Sequence, residues 1–143
     1  MLKKMVLITI VVVLYGGVSF GKVPFSPAVQ KYLSVLEKQS TEANASFSGF
    51  SESRGKELYF ASYPHPEEPT KRSCVSCHSK SPLEKGETLV GKMIEPLAPT
   101  ANKKRFTQIK HMKKWFRRNC KWVLQRECSA QEKGDFIYFI HSY

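Results

Sequence analysis

The chain has 143 residues, which is enough for one domain and short for two. Hydrophobic residues make up 41% and charged residues 24%, a balance that excludes a wholly disordered chain and a protein with several membrane spans. The formal net charge is +11, from 23 Lys plus Arg against 12 Asp plus Glu. Such a charge favours an acidic partner: an acidic protein, an anionic membrane surface or nucleic acid.

The N-terminal segment has the pattern of a secretory signal peptide. Lys3 and Lys4 precede an apolar run from Met5 to Leu14, and small residues follow up to Gly21. An uncleaved anchor is the alternative, but the run is short for a bilayer, which needs about 20 apolar residues. We therefore predict cleavage near Gly21 and export to the periplasm. There, disulfides can form and nucleic acid is not an expected partner.

Apolar periodicity predicts four helices joined by long loops, so the predicted fold class is all-α. The first helix starts at Ser26-Pro27, because proline favours the first turn. The last helix follows a capping-box sequence from Ser129 to Glu132. The other predicted helices span 50–61, with Gly55 allowing a close approach, and 107–118, and the last spans 130–140. Loops are predicted at 40–49, 64–69 and 79–99, with no strand pair. Inward-facing positions are Val29, Tyr32, Leu33, Leu36, Leu58, Tyr59, Ile109, Met112, Trp115, Phe116, Phe136, Phe139 and Ile140.

Cys74-Val75-Ser76-Cys77-His78 is the C-x-x-C-H motif of c-type haem attachment. Two thiols at this spacing can add to the two vinyl groups of one porphyrin, and His78 then lies under the iron as proximal ligand. A thioredoxin-like site would follow a βαβ pattern, which we do not find, and a zinc site would need a second tight pair. We therefore predict one covalent haem c. The predicted division is a signal peptide at 1–21, a helix and linker at 22–48, and a monohaem domain at 49–143.

The second pair of cysteines, Cys120 and Cys128, closes a short ring between the last two predicted helices. In an exported protein a disulfide is the expected state of such a pair. The chain-entropy estimate for this small loop is about 2.5 kcal/mol. The bond would also hold the neighbouring Asn119 in space.

The sixth position on the iron has four candidate ligands: Met93, His111, Met112 and Asn119. Electron carriers usually have Met there, since a soft thioether suits ferrous iron. The residues alone leave the choice open. His65 and His141 have no identifiable partner in the sequence, and we predict both at the surface.

A basic segment lies between Lys103 and Arg126, with ten basic residues and no acid. It is either a solvated face or a docking surface for an acidic redox partner, with anionic lipid as a second possible target. Its members are Lys103, Lys104, Arg105, Lys110, Lys113, Lys114, Arg117, Arg118, Lys121 and Arg126.

The chain resembles the SHP-type cytochromes c, small oxygen-binding monohaem proteins whose name abbreviates sphaeroides haem protein. The resemblance runs from Ser73 to about Asp135 and is most specific in the Trp-x-x-Arg-Asn-Cys run with its downstream Cys. The matching segments are Ser73-Cys74-Val75-Ser76-Cys77-His78, Gly91-Lys92-Met93-Ile94-Glu95-Pro96-Leu97-Ala98-Pro99, Arg105-Phe106-Thr107, Lys114-Trp115-Phe116-Arg117-Arg118-Asn119-Cys120, Arg126-Glu127-Cys128 and Glu132-Lys133-Gly134-Asp135.

This resemblance implies a class I cytochrome c fold, here preceded by an extra N-terminal helix. It implies that Asn119 is the distal ligand, that Cys120 bonds to Cys128, and that the position of Met93 is not a ligand. It also implies a dihaem cytochrome c as electron donor.

A carboxamide oxygen is a hard, weak donor with little affinity for ferrous iron. We therefore expect reduction to loosen Asn119, so that oxygen or nitric oxide can bind. A minor terminal oxidase or a gas-detoxifying activity would be compatible with this. A small haem peroxidase would need an acid–base constellation, and none is evident in the sequence. The alternative is a simple electron carrier with Met93 or His111 as permanent distal ligand.

Overall fold

The computed structural model describes residues 23–66 and 68–143, so the predicted signal peptide lies outside the described residues. In this part of the chain five helices and two short hairpins form the fold, which confirms the all-α class. None of these helices has the length and hydropathy that crossing a bilayer requires. The helices are α1 (Pro27–Ala43), α2 (Glu52–Phe60), α3 (Val75–His78), α4 (Ile109–Leu124) and α5 (Ala130–His141).

Helix α1 begins as predicted and ends later. The Ser26 side chain accepts a hydrogen bond of 3.3 Å from the Val29 amide, and Pro27 occupies the first turn. The helix continues to Ala43, into the segment predicted as a linker. Ser40 is buried there, and its hydroxyl is satisfied because it donates to the Leu36 carbonyl at 2.8 Å. The buried face of α1 packs against α4 and α5. The boundary between the N-terminal segment and the monohaem domain, at residues 48 and 49, stays a prediction.

Helices α2 and α5 cross at close range, as the glycine in α2 predicts. A Cβ atom at Gly55 would overlap the carbonyl oxygen of Asp135. The crossing is further fixed by Arg54, whose Nε lies 2.8 Å from Oδ2 of Asp135. The Ser51 amide donates to the other oxygen of this buried carboxylate at 2.6 Å. This pair of helices therefore forms a rigid platform for the segment that follows α2.

Two antiparallel hairpins replace predicted loops. Strand β1 (Tyr63–His65) pairs with β2 (Glu68–Arg72), and β3 (Gly86–Glu87) pairs with β4 (Met93–Ile94). The prediction of no strand pair was wrong. Prolines in 64–69 suggested a loop, yet proline is tolerated in a two-stranded hairpin because each strand is an edge.

Helix α4 is longer than predicted. Three of its four predicted inward positions face the core, because Met112 is buried and Ile109 and Phe116 pack, partly buried, against the same cluster. The helix ends at Leu124, and Gln125 stops it in the left-handed conformation with φ 58°. Trp115 is 49% exposed, so its predicted inward position was wrong. The buried stripe continues instead through Met112, Cys120 and Val123.

Helix α5 begins at the predicted capping box. The Ser129 hydroxyl accepts from the Glu132 amide at 3.1 Å, and the Glu132 carboxylate accepts from the Ser129 amide at 2.7 Å. Arg126 adds two hydrogen bonds of 2.7 and 2.8 Å to the same carboxylate. The turn between α4 and α5 is therefore held by side chains on both sides.

His141 was predicted at the surface, and this was wrong: it is 6% exposed. Its Nδ1 atom lies 3.1 Å from the Ile137 carbonyl, and its ring packs on Phe25 and Phe106 at centroid distances of 4.5 and 4.9 Å. Burial lowers the pKa of His141, so the neutral ring is favoured. His65 is half-buried.

Candidate haem site

The attachment motif lies on α3, a single turn of helix. The amides of Cys77 and His78 both donate to the Cys74 carbonyl, at 3.3 and 3.0 Å. A hydrogen bond of 2.9 Å joins the hydroxyls of Ser73 and Ser76 across the same turn. Cys74 and Cys77 are both half-buried, and neither is in a disulfide. Two free thiols therefore lie one helical turn apart, as attachment to a single porphyrin requires.

The main chain at His78 is held by two contacts. The Tyr59 hydroxyl lies 2.9 Å from the His78 carbonyl and 2.8 Å from that of Ser79. A Cβ atom at Gly86 would overlap the Cys77 carbonyl, so β3 packs directly on α3. Burial, followed by the charge of Arg105, lowers the pKa of His78 to about 4. A neutral imidazole is the form that binds a metal.

The segment 79–99, which contains the β3–β4 hairpin, is held by hydrogen bonds within the segment and by one from Arg105. The amides of Leu97 and Ala98 both donate to the Pro82 carbonyl at 2.9 Å. The Nε atom of Arg105 donates to the Pro96 carbonyl at 2.7 Å. The two ends of this long segment are therefore tied together beside α3.

Apolar side chains surround the attachment turn. Tyr59, Leu97, Phe139 and Ile140 form a buried cluster, and half-buried residues pack against it. Burial raises the pKa of Cys74 to about 11, so its thiol is protonated. The half-buried residues are Cys74, Val75, Phe106, Phe136 and Tyr143. Two thiols, a neutral imidazole and an apolar surround are the features that a covalently bound haem needs, so these residues fit the group.

The four candidate distal ligands occupy different environments. Asn119 is half-buried and lines a cleft of about 780 Å³ together with Trp115, Arg118 and Trp122. Met112 is 7% exposed and packs against α1, in the core. Met93 is 56% exposed on β4, and His111 is exposed on α4. The residues that line the cleft do not include the two attachment cysteines or His78.

Cys120 and Cys128 form a disulfide in the structure, with Cα atoms 5.5 Å apart. Both residues are buried, and the bond joins α4 to the residue before the Ser129 cap of α5. Asn119 therefore directly precedes a cross-linked position. Within residues 23–66 and 68–143, no three His, Cys, Asp or Glu side chains cluster as a metal site, which gives the zinc alternative no support.

Arg72 connects the attachment segment with α4, a link that the sequence did not reveal. Its Nη1 atom donates to the Trp122 carbonyl at 3.1 Å, and its guanidinium lies 4.6 Å from the centroid of the Trp122 ring. Arg72 precedes Cys74 by two residues, and Trp122 follows Asn119 by three. The two parts of the site are thus joined by one side chain that carries a hydrogen bond and a ring contact.

The basic segment is exposed except at Arg105, which is half-buried against its own loop. Lys113 lies over the Tyr32 ring at 5.3 Å, and Arg118 lies over Trp115 at the same distance. Arg126 is paired with Glu132. Arg117, Arg118 and Lys121 also line the cleft beside Asn119, together with Arg72 and one acid, Glu127, so cations outnumber acids around this candidate ligand.

Comparison with known proteins gives the family. The profile of a domain of unknown function, DUF1924, matches residues 45–140. Cytochrome c-type protein SHP from Cereibacter sphaeroides is 39% identical over 87 residues, which are 61% of this chain and 67% of that protein. The chain belongs to the SHP family of cytochromes c. Its cofactor is therefore a covalently bound haem c.

Cytochrome c'' from Methylophilus methylotrophus is a second relative, 42% identical over 69 residues; the match spans about half of each chain, 48% in both. The crystal structure of its oxidized form superimposes with a TM-score of 0.71 at 32% identity, covering 79% of this chain and 92% of that one. Oxidized SHP, described as an oxygen binding cytochrome c, gives a TM-score of 0.70 at 29% identity, covering 84% and 100%. The predicted cytochrome c fold is therefore confirmed.

Proposed function

We propose that this protein is an exported monohaem cytochrome c that accepts an electron and then binds a small diatomic gas, oxygen or nitric oxide, at the distal side of the haem. The proposal is supported by the description of SHP as an oxygen binding cytochrome c. The observation that carries it is the placement of Asn119, half-buried at the edge of an open cleft while Met112 is packed in the core.

In this proposal Cys74 and Cys77 hold the haem through two thioether bonds, and His78 is the proximal ligand. The haem iron, when bound, supplies the change of oxidation state and a coordination position for the gas. Tyr59 and Gly86 orient the proximal segment through two contacts. The apolar cluster around Leu97 and Phe139 excludes water from that side.

Asn119 has the role of a weak distal ligand. Its amide oxygen is neutral and hard, so it would bind ferric haem iron and would dissociate from ferrous haem iron. A solution structure of cytochrome c'' is described as giving insights into the structural basis of haem-ligand detachment, which supports ligand release in a relative. The disulfide keeps Asn119 close to the position to which it returns on oxidation.

Carbon monoxide binding to the chemically reduced protein tests this function. We expect a five-coordinate ferrous spectrum that changes on adding carbon monoxide in a 1:1 stoichiometry. A six-coordinate, low-spin ferrous spectrum indifferent to carbon monoxide would instead indicate the simple electron carrier with Met93 or His111 on the iron.

The electron donor in this proposal is an acidic redox protein that docks on the basic segment, and the resemblance points to a dihaem cytochrome c. Support comes from the exposed cations along α4, which carry no opposing acid in the segment 103–126. Lys121→Glu should slow electron transfer and weaken its salt dependence, whereas Lys56→Glu, the same charge change on α2, should have less effect. Equal effects of the two variants would contradict docking at this surface.

The proposal includes export, because Cys120 and Cys128 can form a disulfide only in an oxidising compartment. Cys74 and Cys77 would bind haem in the same compartment. The N-terminal sequence of the protein purified from the periplasm should begin at Lys22. A chain that retains Met1 in the membrane fraction would instead show an uncleaved anchor.

A further inference from the structure

One fully buried tyrosine holds the main chain of the proximal histidine. Tyr59 is 0% exposed, and its hydroxyl lies within hydrogen-bond distance of two successive carbonyls, those of His78 and Ser79, at 2.9 and 2.8 Å. Its ring is fixed by Phe60 and Phe139, with centroids 5.2 and 5.4 Å away. The hydroxyl therefore acts as a rigid donor, and its position is set by the crossing of α2 and α5.

The second of these carbonyls belongs to a residue in an unfavourable conformation. Ser79 has φ 64° and ψ 166°, a combination that is essentially restricted to glycine. Its hydroxyl donates to Oε2 of Glu84 at 2.8 Å, so the side chain is also held. A backbone in this region persists only where surrounding contacts enforce it, and the Tyr59 hydroxyl is one such contact.

The same segment also packs directly on the backbone of β3. A Cβ atom at Gly86 would lie 2.8 Å from the Cα atom of His78, so β3 leaves no room for the segment to shift toward it. The main chain of His78 is thus held by two contacts, the backbone of β3 and the Tyr59 hydroxyl. A displacement that lengthens the hydrogen bonds to Tyr59 is opposed by that hydroxyl.

We propose that Tyr59 is a positioning residue that sets the strength of the bond between His78 and the iron, and through it the affinity of the reduced site for gas. The inference rests on the proposed function for its effect on gas binding. The orientation of a ligating imidazole depends on where its Cα atom is held, and small displacements of a ligand change its bond to the metal. Without the hydroxyl, Ser79 can relax, and the imidazole follows the main chain.

The test is Tyr59→Phe, which keeps the buried ring and removes only the hydroxyl. We expect the iron–histidine stretching band of the reduced protein to broaden and move to lower frequency. The midpoint potential should rise, because a weaker imidazole bond stabilises ferric iron less. The dissociation constant for carbon monoxide should rise about 2- to 10-fold, the effect of one hydrogen bond. Tyr32→Phe is the matched control, since it removes the hydroxyl of a buried tyrosine in α1, and it should leave all three quantities unchanged.

A second variant separates positioning from general stability. Glycine adopts the Ser79 conformation without strain, so Ser79→Gly combined with Tyr59→Phe should show a smaller band shift and a smaller potential change than Tyr59→Phe alone. If Tyr59→Phe lowers thermal stability while the band and the potential stay as in the parent, the residue is only structural and the inference is wrong. The midpoint potential can be measured even in a parent that does not bind carbon monoxide, so failure of the proposed function is distinguishable from failure of this inference.

Discussion

The proximal and distal sides of the haem site are held by different kinds of contact. On the proximal side the main chain of His78 contacts the Tyr59 hydroxyl and the backbone of β3, with apolar residues around it. Asn119, the proposed distal ligand, lines an open cleft and is next to one disulfide. Close backbone contact suits a ligand that stays bound, whereas a side chain at the edge of an open cleft can leave and return. The difference supports the proposal of a permanent proximal ligand and an exchangeable distal one.

The largest expected effect is on the proximal side, at Gly86. Gly86→Ala places a Cβ atom against the Cys77 carbonyl, where neither backbone can move without breaking the β3–β4 pairing. We expect a loss of about 3 kcal/mol in the free energy of unfolding, measured by denaturant titration of the holoprotein. Gly91→Ala, in the same hairpin, has space around its Cβ atom and a positive φ of 77°, so it should lose only about 1 kcal/mol. Equal losses would mean that the contact between β3 and α3 is not tight.

On the distal side, removal of the disulfide should have the next largest effect. The variant with both Cys120→Ser and Cys128→Ser should lose about 2.5 kcal/mol of stability, because the loop closed by the bond spans only eight residues. It should also raise the fraction of ferric protein without Asn119 on the iron, which the high-spin absorption bands report. The proximal iron–histidine band should not change. A change in that band would show that the two sides are not independent.

The smallest expected effect is a loss of stability at acid pH, in the turn beside the disulfide, where Arg126 pairs with Glu132. The hydrogen bonds from Arg126 lower the pKa of Glu132, so the carboxylate stabilises the fold fully above its ordinary, unfolded pKa of 4.5. This stability is lost as the pH falls through the lower, folded pKa. Because the Arg126 side chain is 55% exposed, the contribution is about 0.5 kcal/mol. Glu132→Gln should remove this part of the acid dependence of the free energy of unfolding. If the parent and the variant lose the same stability below pH 4.5, the acid dependence does not come from Glu132.

Features that depend on only a few neighbouring residues were predicted correctly from the sequence. The Ser26-Pro27 start of α1, the capping box of α5 and the close approach at Gly55 all follow from side-chain properties within a few residues, and the structure has each of them. The hairpins were missed because pairing of two- to five-residue strands depends on partners across a loop. Trp115 was misplaced because it lies at the edge of the stripe through Met112 and Phe116, and only the centre of that stripe meets the core.

The residues of the site were predictable from the sequence only where they form a recognisable motif. Cys74, Cys77 and His78 are adjacent in sequence, so C-x-x-C-H identified them without a fold. Tyr59 and Arg72 act through main-chain carbonyls that lie 19 and 50 residues away, and no pattern in the sequence identifies a backbone partner. His141 looked like a surface residue because its ring partners, Phe25 and Phe106, are both distant from it in the sequence.

The measurement that tests the account most directly is X-ray absorption at the iron edge, on the same sample before and after reduction. We predict six nitrogen or oxygen neighbours in the ferric protein, and five in the ferrous protein after Asn119 has left. A sulfur neighbour in either state, or six neighbours in the ferrous state, would contradict the release of Asn119.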